Sequence, residues 1–306
     1  MQIYLPIAEL AVNMFIILGM GGAVGFVSGL FGVGGGFLLT PLLIFSGIPP
    51  AVAVATVTSQ VVASSTSGVL SYWRKGGVDF KLAGVLLSGG IAGSAIGVWL
   101  FSVLRDLGQL DLIISVSYML FLGAVGGLML IEASRAIWRG KSGRQVSAPR
   151  PRKRGIAQAL PLKVAFKKSR LYISVIPIVA LGMSIGFIGA ILGIGGGFIM
   201  VPALIYLLRV PGTVVIGTSL VQILVTMAVA TILHALTTGS VDIVLGFILM
   251  VGGVIGAQFG VSAGQKLKGE QLRLLLALLI LSVGVRFLVD LVVQPVDLFS
   301  VAQVLR

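Results

Sequence analysis

Two stretches decide how this chain folds: GFVSGLFGVGGGFLLTP at residues 25–41 and GFIGAILGIGGGFIMVP at residues 186–202. At a constant offset, Gly32, Gly34, Gly35, Gly36, Phe37 and Pro41 recur as Gly193, Gly195, Gly196, Gly197, Phe198 and Pro202. Four glycines in five residues hold a helix poorly, since each is about 1 kcal/mol worse than alanine. The flanks are apolar, so each cluster predicts a helix broken inside an apolar segment. At membrane depth such a break is tolerated only where its backbone is buried in protein or lines a polar cavity. The helix resuming at Phe37 or Phe198 starts with unpaired N–H groups and a positive dipole end, which binds an anion without a charged side chain. Pro41 and Pro202 stand near the first turn, where a missing N–H matters least. Glycines also let helices pack closely; two equivalent breaks favour the ligand-binding reading.

The correspondence continues away from the breaks with slips of one residue. Pro49, Thr56 and Gln60 match Pro211, Thr218 and Gln222. Asp79, Gly89, Gly90, Gly93 and Gly97 match Asp242, Gly252, Gly253, Gly256 and Gly260. The chain is therefore duplicated. A first transmembrane repeat is expected over 1–138, a basic linker loop over 139–171, and a second repeat over 172–306.

The surroundings of the repeats are those of a membrane protein. Hydrophobic residues make up 57% of the 306 and charged residues only 10%, with a mean hydropathy of +1.13. A soluble globular chain carries about 25% charged residues. Spans of about 20 apolar residues cross a bilayer as helices. Long ones are expected at roughly 8–31, 51–73, 80–103, 109–137, 172–193, 213–236, 241–264 and 271–293. Shorter pieces at roughly 37–47 and 198–208 follow the glycine clusters and read as half-helices. The expected fold is an all-α integral membrane protein of about ten hydrophobic segments, eight long spans and two half-helices. The first apolar stretch lacks a basic leader region and contains Glu9, so it reads as a retained span.

Charge sets the orientation. The net charge is +13, and half of the 22 Lys and Arg residues lie between Arg139 and Arg170, where there is no Asp or Glu. Such a loop beside spans is a cytoplasmic topology signal and a contact for anionic lipid headgroups; nucleic acid is not an expected partner. Walking outward from it places the Arg74/Lys75/Lys81 and Lys266/Lys268/Arg273 loops inside and the uncharged Thr237–Gly239 turn outside. Each half then crosses an odd number of times, which makes the repeats inverted. Re-entrant short pieces would instead allow parallel repeats.

Chemistry-bearing residues are few. There is no cysteine, one histidine and nine carboxylates, a poor inventory for hydrolytic or metal catalysis, so no enzyme activity, metal or cofactor is expected. ATVTSQ at 55–60 aligns with GTSLVQ at 217–222. Hydroxyls and carboxamides within a span donate to an oxyanion without adding charge. The candidate substrate-binding residues are therefore Gly34, Gly35, Gly36, Thr56, Ser59 and Gln60, with Gly195, Gly196, Gly197, Thr218, Ser219 and Gln222. The competing role for the hydroxyls is bonding to their own helix carbonyls. His234 has Ser71 at the matched position, and near a helix end it reads as an interfacial hydrogen-bonder. Arg286 and Asp290 are spaced for a local ion pair, and Asp79 and Asp242 for helix caps.

The paired glycine motifs, the Thr/Ser/Gln helix after each and the long loop between halves resemble the TauE/SafE family of sulfite exporters, over nearly the whole chain. The arginine-rich central loop has no match in that pattern. The resemblance implies an inner-membrane carrier of sulfite, thiosulfate or small organosulfonates. An inside-negative potential drives a monoanion outward, about 2.3 kcal/mol per 100 mV, and no Asp or Glu stands mid-span to bind a coupling cation. The expectation is an exporter working by alternating access between the two breaks. A cation-coupled importer and a passive anion channel are the alternatives.

Overall fold

The structure is a computed structural model that describes residues 2–31, 35–74, 76–141, 162–166, 168–169, 171–206, 212–264 and 269–292. Residues 142–161, which hold most of the basic loop, lie outside the described residues, as do Gly34, Lys75, Lys266 and Lys268. One arrangement occurs twice in chain order. A hairpin of β1 (Gln2–Leu5) and β2 (Leu10–Asn13) leads into α1 (Met14–Phe31), α2 (Gly36–Phe45), α3 (Pro50–Arg74), α4 (Phe80–Asp106) and α5 (Leu110–Lys141). A hairpin of β3 (Lys163–Phe166) and β4 (Leu171–Ser174) leads into α6 (Val175–Leu192), α7 (Gly197–Tyr206), α8 (Gly212–Thr237), α9 (Ile243–Gly264) and α10 (Gly269–Val292).

Six of the described helices are long and apolar enough to cross a membrane: α4, α6, and most of α5, α8, α9 and α10. This is an all-α integral membrane protein with two small hairpins added. Eight long spans were expected. The difference lies in α1, whose apolar part is Met14–Gly29, and in α3, whose 25 residues include the Thr/Ser/Gln run. That run lowers the hydropathy of α3, and the protein interior supplies what lipid would not: Thr56, Thr58, Gln60 and Ser65 are all buried.

The hairpins correct two expected spans. Residues 8–13 and 172–174 were expected to be helical, but 8–9 lie in the turn of the first hairpin, 10–13 form β2 and 172–174 belong to β4. Four-residue apolar strands carry too little alternation to be told from the start of a span. The first turn is made by Glu9 at φ 54. Each hairpin reaches across to the other half. The Ile7 N–H donates to Asp242 Oδ2 at 3.1 Å. The Ser169 N–H and hydroxyl donate to Asp79 Oδ2 at 3.0 and 2.6 Å. The Oδ1 atoms of the same carboxylates cap α4, through Lys81 and Leu82 N–H, and α9, through Leu245 N–H. The capping expected of both aspartates is what the structure shows.

Helix packing is also exchanged between halves. α1 lies along α9 and α4 along α6, in both cases glycine against backbone. A methyl group on Gly25 would sit 2.2 Å from the Gly253 carbonyl oxygen, and one on Gly93 would sit 2.0 Å from that of Met183. No side chain fits there, so these glycines allow backbones to touch. Gly21, Gly25 and Gly29 meet Leu249, Gly253 and Ala257 in ascending order, so α1 and α9 run parallel. The third helices pair with each other instead: Thr231 donates to Thr58 at 2.8 Å, and Gly68 meets Leu220, so α3 and α8 run antiparallel. The fifth helices do likewise, Gly126 meeting Ile280 and Leu281 while Gly284 meets Leu122 and Gly123.

Candidate functional site

The second break is described in full. α6 is capped by Gly193 at φ 67, whose N–H returns to the Gly189 carbonyl, and Gly195 and Gly196 follow at φ 74 and 73. Three left-handed residues in four are open to glycine at little strain and to few other residues. The chain thereby doubles back, and Gly196 lies against Ile185 in the middle of the helix it has just left. At the first break Gly35, the match of Gly196, is right-handed at φ −68, but it too lies against the helix before it, at Val24 and Ser28 of α1. Helix α2 then opens with Leu38 and Leu39 N–H bonded to the Gly35 carbonyl, as α7 opens with Ile199 and Met200 N–H bonded to that of Gly196.

The two breaks meet. A methyl group on Gly36 would lie 2.5 Å from the Gly193 carbonyl oxygen and 3.0 Å from the Ile194 carbonyl carbon. Val61 of α3 stands between them, touching the Gly36 and Gly195 positions. Gly193 in turn lies beside Thr40 of α2 and Val54 of α3. Residues 193–197 are all buried.

The expected side chains fall into three groups. Gln60 and Gln222 are 2% and 1% exposed, and each has a side-chain carbonyl oxygen without a protein partner. Gln60 covers Gly253, the glycine that packs on Gly25 of α1; Gln222 covers Gly90, the glycine that packs on Gly186 of α6. Each carboxamide thus sits one helix contact from the segment of α1 or α6 against which a break folds. Gln222 also donates to Thr226 Oγ1 at 3.2 Å. By rotating half a turn, a carboxamide offers its free end as an acceptor or as two donors.

Thr56 and Thr218 belong elsewhere. Thr56 Oγ1 accepts the Asp242 N–H and Thr218 Oγ1 accepts the Asp79 N–H, both at 3.0 Å. They tie α3 to the start of α9 and α8 to the start of α4. Ser59 and Ser219 donate to carbonyls of their own helices, Thr56 and Ile216, at 2.7 and 2.9 Å. Gly34 lies outside the described residues. The expected Arg286–Asp290 pair is present at 3.2 Å on the exposed end of α10. His234 is not interfacial in its surroundings: it is fully buried, with Nε2 at 3.0 Å from the Ala190 carbonyl.

Sequence reasoning missed Tyr118 of α5. It is fully buried, and its hydroxyl donates to the Leu192 carbonyl at the end of α6. A lone tyrosine in the middle of an apolar span was the available signal, because a buried phenol needs a partner. Arg105 was missed as well; it ends α4 and donates to the Thr238 carbonyl and to Ser240 Oγ, the latter at 2.9 Å. It borders a cavity of about 380 Å³ that Glu9 and Asp111 also line.

Buried broken helices, uncharged polar groups around them and exchanged packing between two halves define a multi-pass membrane transporter. The sequence profile described as "Sulfite exporter TauE/SafE" matches residues 17–287, and the chain belongs to that family. It is 31% identical to "Probable membrane transporter protein YjnA" of Bacillus subtilis (strain 168), over 90% of this chain and all of that one. It is 32% identical to a "Probable membrane transporter protein" of Xylella fastidiosa (strain 9a5c), over 81% of this chain and 84% of that one. "Sulfite exporter TauE/SafE family protein 5" of Arabidopsis thaliana is 46% identical over 48 residues, covering 16% of this chain and 11% of that one. No solved structure matches. The relatives are named as transporters, and this chain is a transporter and not an enzyme.

Proposed function

We propose that this chain exports a small sulfur-containing anion such as sulfite, thiosulfate or an organosulfonate across the plasma (inner) membrane. The anion binds between the two glycine breaks, held by backbone N–H groups at the starts of α2 and α7 and by the carboxamides of Gln60 and Gln222. One half then rocks against the other to alternate access. The carrying observation is the meeting of the two breaks, Gly36 against Gly193, in a buried centre. Helix starts favour anions, and the two unpartnered carboxamide oxygens mark polar capacity that the protein leaves unused. The names of the Arabidopsis relative and of the family support sulfite as the cargo class.

The repeats are inverted in this reading, and all ten helices cross or re-enter, with the 139–171 linker on the cytoplasmic side. Antiparallel pairing of the equivalent helices α3 and α8 supports inversion, because parallel repeats would set equivalent helices parallel. Export fits the potential acting on a monoanion. The buried aspartates, Asp79 and Asp242, are at helix starts and engaged as caps. The test is efflux and uptake in proteoliposomes with sulfite, thiosulfate, sulfate and a small sulfonate at several imposed potentials. Saturable, potential-sensitive movement of one sulfur oxyanion is expected. Movement without saturation would make the protein a channel, and movement only with a cation gradient would make it a coupled importer.

A further inference from the structure

A helix that stops inside a membrane protein strands its last four carbonyls. α6 stops at Leu192, so the carbonyls of Gly189, Ala190, Ile191 and Leu192 depend on donors from beyond the helix. The Gly189 carbonyl takes the Gly193 N–H at 2.9 Å. Two others are met by side chains from different helices. His234 of α8 reaches the Ala190 carbonyl with Nε2 at 3.0 Å, and Tyr118 of α5 donates its hydroxyl to the Leu192 carbonyl. A carbonyl only accepts, so Nε2 is the protonated nitrogen of His234.

Both rings are themselves held. Tyr118 stacks on Phe287 of α10 with centroids 5.3 Å apart and planes 9° apart. His234 meets Phe101 of α4 edge-on at 4.7 Å. Both side chains have 0% exposure. The end of α6 is therefore tied to α5, α8, α4 and α10, immediately before the residues that turn left-handed. The first half has no such pair in its sequence. Ser71 stands where His234 would be matched, and α10, the counterpart of α5, has no tyrosine.

We propose that Tyr118 and His234 are positioning residues for the second break. By satisfying the Ala190 and Leu192 carbonyls they fix where α6 ends, and so fix the backbone that leads to the start of α7, whose N–H groups meet the anion. This rests on the reading of the breaks as the anion site, and the experiment separates the two. Neither residue touches the anion; each acts through a carbonyl.

The variants are Tyr118→Phe, which keeps the stacked ring and loses the donor, His234→Leu, which loses the donor, and His234→Gln, which retains an N–H donor. All are made in the full-length chain and reconstituted. Two quantities are read: hydrogen exchange of the amides of residues 193–197, which reports local opening, and the KM and maximal rate of sulfite efflux. Tyr118→Phe and His234→Leu are expected to speed exchange at 193–197 and to raise KM, each by about tenfold, the size of effect of one unsatisfied buried carbonyl. The maximal rate per folded molecule should stay within about twofold, because the lost effect is on binding. His234→Gln should restore both toward wild type. Unchanged exchange in both donor-less variants would overturn the positioning role. Faster exchange with unchanged KM would keep the bracing but overturn the break as the anion site.

Discussion

The arms of the molecule and its centre solve opposite problems. Along α1–α9 and α4–α6, glycines bring backbones so close that a single methyl group has no room, as at Gly25 and Gly93. Around α3 and α8, the same interior holds Gln60, Ser65 and Gln222 with polar atoms that no protein group meets. Burying an unmet polar atom is unfavourable by about 1–3 kcal/mol, so a sequence selected for stability alone would not keep two such carboxamides at matched positions. The arms are built to stay packed, and the centre keeps bonding capacity in reserve. That contrast ties the fold to the proposed transport.

The largest effect should come from the arms. Gly25→Leu must displace the Gly253 backbone, which lies 2.2 Å from a first added carbon. A loss of about 3 kcal/mol or more, or no folded protein, is expected in thermal melts in detergent. A melt close to wild type would mean that the arms give way more easily than their packing indicates.

The clasps between halves should come next. Asp79 Oδ2 accepts two hydrogen bonds from Ser169, whereas Asp242 Oδ2 accepts one from Ile7. Asp79→Ala should lose about 3 kcal/mol and Asp242→Ala about 2 kcal/mol, since both also lose a helix cap. The order of the two melting temperatures checks the comparison between the two ends of the molecule.

At the centre the effect on stability should be small and that on transport large. Gln60→Leu and Gln222→Leu remove buried groups that are incompletely satisfied, so stability should change by about 1 kcal/mol or less, while sulfite efflux falls at least tenfold. A large stability loss with normal efflux would reverse the roles assigned to arms and centre. Smallest of all, Arg286→Ala breaks a pair whose side chains are 61% and 41% exposed, and should shift stability by less than about 0.5 kcal/mol.

Much of this was legible from the residues. Clustered glycines announced the second break, because few other residues adopt at little strain the left-handed turns of Gly193, Gly195 and Gly196. The aspartates announced themselves as caps by position. The hairpins were not legible, because four apolar residues next to a span carry no period of their own. The use of Thr56 and Thr218 was hidden for a different reason. Their partners, Asp242 and Asp79, are each in the other half of the chain, and local spacing says nothing about exchanged packing. Tyr118 was overlooked because its partner is a backbone carbonyl, which has no signature in sequence.

The most direct test of the central claim is equilibrium binding of radiolabelled sulfite to the purified, reconstituted protein, comparing wild type with the Gln60→Leu/Gln222→Leu double variant. If the anion binds between the breaks under the two carboxamides, wild type should show saturable binding and the double variant, equally well folded by its melt, should show it weakened at least tenfold. Equal affinity in the two proteins would contradict the account and move the anion site away from the centre.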